Sequence, residues 1–110
     1  METKEFGHSA VMDFTKKVEY SAEGIVSKRV LQKEKGNVSL FAFDKDQQLS
    51  EHSAPFDAMI QVLEGKGRIT IGGKPFELIH GQSIIMPANI PHAVYATEKF
   101  KMLLTMIKSE

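Results

Sequence analysis

From Gly24 to Ile107 the chain repeats one pattern, a short run of branched or aromatic residues followed by a glycine, proline or polar turn. That regular spacing is the signature of an antiparallel sandwich or barrel. Gly24 to Gln32 and Val38 to Phe43 read as a first pair of strands, with Gly36-Asn37 as the turn between them. Phe56 to Leu63 is a longer apolar strand, expected to end at Gly65, and Arg68 to Ile71 alternates polar and apolar as a half-buried strand does. Gly72-Gly73 is a tight hairpin signal, because consecutive glycines permit the positive φ angles such turns need. Phe76 to Ile79, Ser83 to Met86, Pro91 to Ala96 and Lys101 to Ile107 complete the series. Only Ser9 to Tyr20 is a candidate for a helical turn. The expected class is all-β, with little helix.

The chain has 110 residues, the size of one domain with one core. It is read as a single domain over 1–110, with a barrel core at about 36–108 and an N-terminal segment packing on the barrel or on a partner subunit. Acidic and basic residues balance to a net charge of zero, which argues against a nucleic-acid partner, whose surface calls for a clustered basic face. The short runs Lys16-Lys17, Lys28-Arg29 and Lys33-Glu34-Lys35 are spread out and read as solvated surface. No cysteine is present, so thiolate ligands, disulfides and cysteine nucleophiles are excluded. Met1 to Tyr20 is charged throughout and lacks the apolar centre of a signal peptide, and no apolar run reaches membrane-spanning length. No membrane partner is expected, and a cytoplasmic location is the expectation.

The last strand is apolar on nearly both faces: Met102-Leu103-Leu104-Thr105-Met106-Ile107. A strand with one face in water alternates instead. Either the N-terminal segment covers its outer side or a second subunit does, and the expected assembly is a homodimer.

Two glycine- and proline-marked blocks each carry one histidine. The first runs from Leu49 through His52, Ala54, Pro55, Asp57 and Ala58 to Val62-Leu63-Glu64-Gly65, and the second from Gly81 through Pro87 and Pro91-His92 to Ala96. Together with the Ile69 to Gly73 hairpin they resemble the paired motifs of the cupin superfamily. In that family a His-x-His pair and a glutamate precede an apolar strand closing on a Leu-Glu-Gly turn. The second motif opens with glycine and ends in a histidine. The resemblance implies a jelly-roll barrel, also described as a double-stranded β-helix. It places the first histidine of the pair on His52 and the closing histidine on His92. The second histidine falls on Ala54 and the glutamate on Ala58. A polar residue often seen four positions after the last histidine is Ala96.

Positions 52, 54 and 58 share a strand parity if no bulge intervenes, and His92, Val94 and Ala96 share one on a strand expected across the barrel. The expected pocket is therefore apolar, lined by Ala54, Ala58, Ile60, Val62, Val94 and Ala96, with His52 and His92 as its polar groups. Three readings stay open. His52 and His92 are ligands of a divalent metal, with Asp57, Gln61 or Asn89 as third donor; Asp57 and Gln61 have the opposite parity and would need a register shift to reach inward. Alternatively the two rings hydrogen-bond a small anionic or polar organic ligand without metal. Or both are buried structural histidines. The leading function is a small-molecule-binding cupin; the alternative is a metal-dependent enzyme of dioxygenase or isomerase type. His80, just before Gly81, is expected to face solvent, and His8 is assigned no role. Asp44-Lys45-Asp46 lacks the following glycine and distal glutamate of a calcium loop. Gly65-Lys66-Gly67 lacks the spacing of a phosphate loop.

Overall fold

The structure is a computed structural model that describes residues 5–108. Both ends of the expected 1–110 domain, residues 1–4 and 109–110, lie outside the described residues. The strands are β1 (Ile25–Lys33), β2 (Gly36–Phe43), β3 (Gln48–His52), β4 (Phe56–Ile71), β5 (Lys74–Ile79), β6 (Ser83–Met86), β7 (His92–Tyr95) and β8 (Phe100–Lys108). All pairings are antiparallel. The fold is an all-β jelly roll, and the helical content of Ser9 to Tyr20 is one short 3-10 turn at Phe14–Lys16. The Asp13 side chain caps that turn by accepting from the Thr15 N–H at 3.1 Å.

The sheet curls around β4, a strand of 16 residues. Its first half pairs with β8 and β6, and its second half with β5 and β7. Gly65 was expected to end this strand but instead bends it. The register against β8 shifts between Val62 and Glu64, and Gly65 takes φ of 82°. Positive φ is cheap only for glycine, so the chain turns from one layer to the other without breaking its ladder. Gly72 and Gly73 do form the tight hairpin, both with positive φ. Gly36-Asn37, by contrast, is not the turn: Glu34 and Lys35 make it, and Gly36 already pairs with Ile107. Glycine is needed there because a Cβ would stand 2.5 Å from the Met106 carbonyl oxygen.

Inward residues of both layers meet in one core. Phe43 and Phe100 stack at 4.8 Å between ring centroids, with Ile60, Val62, Ile69, Leu78, Met86, Val94 and Met102 around them. A second, outer cluster forms where Phe6, Phe14, Val18 and Tyr20 pack with Leu40, Ala42, Leu63 and Leu103. It explains half of the apolar character of β8. Phe100, Met102, Leu104 and Met106 go to the core, and Leu103 is covered from outside by the N-terminal segment. Thr105 and Ile107 stay open, lining a groove of about 230 Å³ with Asp57, Met59 and Ile85. Lys101, also on the outer face, is buried and donates to the Thr15 carbonyl at 2.6 Å, which ties the N-terminal segment to β8.

Candidate functional site

His92 opens β7. Val94 and Ala96 alternate with it and are core residues, so its ring belongs to the inner face. It is 8% exposed and is the Cα partner of Ile71 on β4 and of His52 on β3. The two histidines therefore sit on adjacent strands, not across the barrel from each other. Their ring centroids are 4.5 Å apart with the planes inclined at 69°.

The local reason is a bulge. Leu49 pairs with Val94 and packs against the core, but the next pairing is His52 with His92. Three steps along β3 thus match two along β7. Plain alternation from Leu49 would bring Glu51 inward and turn His52 out; the extra residue places His52 opposite His92 instead. His52 is exposed there, so the pair lies at the rim of the roll, with His92 as its inner member.

Both rings are fastened in the same way. His52 Nδ1 lies 2.8 Å from the carbonyl oxygen of Ser50, and His92 Nδ1 lies 3.2 Å from that of Ile90. A carbonyl oxygen can only accept, so each Nδ1 carries the proton, and in the neutral ring each Nε2 presents a lone pair. Burial pulls the His92 pKa below the ordinary histidine value; the bond to Ile90 opposes this, and the neighbouring His52 adds to it. Among the described residues no buried side-chain nitrogen or oxygen lacks both a partner and access to solvent.

The remaining expected site residues divide. Ala58, Ile60, Val62, Val94 and Ala96 are buried in the core cluster. Ala54 is half-buried in the bend between β3 and β4, and its carbonyl accepts from the Asn89 N–H at 2.8 Å. That bend corrects the expectation of one continuous strand through 52, 54 and 58. Asp57 and Gln61 do not turn inward, because β4 runs in unbroken register from Phe56 to Val62 with Ala58, Ile60 and Val62 on the inner face. The Asp57 carboxylate instead accepts from the Ala88 N–H at 3.0 Å. Asp57 and Ala54 thus pin the 87–91 loop from two sides, a positioning role the sequence pattern did not reveal. Asn89 holds a left-handed turn in that loop, with φ of 66°. His80 and His8 are both exposed.

Catalytic metal centres ordinarily draw three ligands from the protein. Two histidine rings with centroids 4.5 Å apart supply part of such a shell, but the next family positions are Ala54 and Ala58. Among the described residues no group of three or more His, Asp or Glu side chains converges. The donor set therefore does not fit a resident catalytic metal of that kind.

Among the described residues no helix is long and apolar enough to cross a membrane. No curated protein matches the chain. Among solved structures, the chain is similar to a conserved protein of unknown function from Streptococcus pyogenes, with 38% identity over 97% of this chain and 94% of that one, TM-score 0.91. It is also similar to a cupin 2 conserved barrel domain protein from Leptotrichia buccalis, 44% identical over 86% of this chain, TM-score 0.83; the alignment spans 46% of that protein. A cupin superfamily protein from Desulfitobacterium hafniense shares the fold at 22% identity and TM-score 0.89, over 99% of this chain and 100% of that one. The cupin domain profile matches residues 39–108, more than half of the sequence. With the jelly roll, both motif blocks and these relatives in agreement, the chain belongs to the cupin family.

Proposed function

We propose that this cupin binds a small organic molecule at the rim of its β-roll, held by His52 and His92. The observation that carries the reading is the pair itself: two rings in contact, each fixed through Nδ1, with no hydrogen bond to either Nε2 among the described residues. Alanine at positions 54 and 58 removes donor atoms and supports a ligand with an apolar body. The test is native mass spectrometry of protein purified without an affinity tag, followed by ligand titration of His92→Ala. The reading expects a small-molecule adduct that His92→Ala weakens while the melting temperature stays nearly unchanged. A large loss of stability without loss of binding would instead make His92 structural.

The alternative, a metal-dependent enzyme, lacks a third protein donor among the described residues, although Nδ1 bonded to a backbone carbonyl is also how metal-binding histidines are oriented. Elemental analysis separates the two, since stoichiometric metal abolished by His52→Ala would favour the enzyme. The proposal extends to a homodimer, with a second copy on the open groove at Ile85 and Ile107, which are 66% and 60% exposed. A monomeric mass by light scattering would remove that part.

A further inference from the structure

The two fixed rings also say what chemistry the guest presents, and this step rests on the binding reading above. We infer that the His52–His92 pair receives the hydrogen-bond-donating head of its ligand, a hydroxyl or amine on an apolar body, and discriminates against carboxylates and phosphates. Both Nδ1 atoms are committed to backbone carbonyls within their own strand ends, Ser50 for His52 and Ile90 for His92. Neither ring can exchange its tautomer without breaking that bond and setting a lone pair against a carbonyl oxygen. What faces the guest is therefore a double acceptor.

An anion would require the opposite arrangement, with N–H groups or a positive charge aimed at it. Charging both rings at once to supply this would place two cations 4.5 Å apart between centroids. The apolar neighbour is Ile71, the Cα partner of His92 on β4, which packs against the core. A guest with its donor on the two Nε2 atoms would lay its hydrocarbon along Ile71.

Three probes on one carbon skeleton test this: cis-1,2-cyclohexanediol, cyclohexylamine and cyclohexanecarboxylate. Each is titrated into ¹⁵N-labelled protein at about pH 8, above the ordinary histidine range. Long-range ¹H–¹⁵N spectra read the tautomer and the shift of each ring nitrogen. The expected result is the Nδ1–H tautomer in both free rings. The diol or the amine should then move both Nε2 signals, whichever acts naming the head group, and the carboxylate should bind at least about tenfold more weakly. If the carboxylate moves the rings as strongly as the other two, the ligand class is wrong while the binding reading stands. A ring found as the Nε2–H tautomer also overturns the class. If no probe moves either ring, both the class and the binding reading fall. The tautomer spectrum is taken on the unaltered protein, so the test does not depend on any variant folding.

Discussion

His52 is the Cα partner of His92 even though straight alternation from Leu49 would have chosen Glu51. A single surplus residue in β3, taken up between Leu49 and His52, makes the difference. The consequence can be tested by shortening the strand. With Glu51 deleted, His52 becomes the second residue after Leu49 and stays opposite His92 in a regular ladder. With Ser50 and Glu51 both deleted, it becomes the first and turns to the outer face. Nuclear Overhauser effects between the two rings, expected at a centroid separation of 4.5 Å, should survive the first deletion and vanish in the second. Their loss in the single deletion would show that the bulge is not what orients His52.

His92 links the site to stability through pH. Its folded-state pKa lies below the ordinary value, with burial the largest cause. Below about pH 6.5 the unfolded chain binds a proton that the folded chain resists. The contribution of neutral His92 is therefore complete above that value and is lost as pH falls through the lowered folded pKa. Chemical denaturation across about pH 7 to 4 should show this as an acid-side slope of at most about 1.4 kcal/mol per pH unit. His92→Gln should flatten that slope; an identical acid limb in the variant would mean that other groups cause it.

The histidine pair was legible only through resemblance. Alternation in Ile60, Val62 and Ile69, with the Gly72-Gly73 hairpin, marks the strands because burial on one face demands that period. The bulge leaves no such mark, since Ser50 and Glu51 are polar whether or not one of them is surplus. Gly65 misled for a related reason. Glycine both ends strands and bends them, and only its pairing partners, here on β8, tell which. Gly36 likewise resembles a turn residue, although its role is to admit the Met106 carbonyl at close range. The outward direction of Asp57 and Gln61 did follow from parity alone, because β4 keeps its register through both.

Tyr20 anchors the N-terminal segment and predicts an alkaline effect of opposite sense. Its hydroxyl donates to the Glu64 carboxylate at 2.6 Å, across the same outer cluster that covers Leu103. Burial, and then that bond, push its pKa above the ordinary tyrosine value. A group protonated more firmly in the folded state stabilises fully below its unfolded pKa of about 10 and loses that contribution as pH rises through the folded one. Tyr20→Phe should cost about 1–2 kcal/mol at neutral pH. It should also remove the later phase from a tyrosinate absorbance titration, leaving the less displaced phase of Tyr95, whose hydroxyl donates to Asp46 at 2.6 Å. If the variant keeps that late phase, Tyr20 is not the tyrosine so held.

Gly67 carries a steric prediction at the centre of the fold. A Cβ there would stand 2.7 Å from Cζ of Phe100, a ring that is fully buried and stacked on Phe43. Retreat of the ring would disturb its stacking on Phe43. Gly67→Ala should therefore act as overpacking and cost about 1–3 kcal/mol. For a domain of this size that corresponds to a melting temperature lower by several degrees, roughly 4–8 °C per kcal/mol. Phe100→Leu alone should also destabilise, by loss of buried area and stacking. Combined, the two changes should cost less than their sum, because the smaller side chain vacates the space that the new methyl enters. A thermal-denaturation double-mutant cycle measures the difference, and strict additivity would show that the Gly67 methyl is not accommodated against this ring.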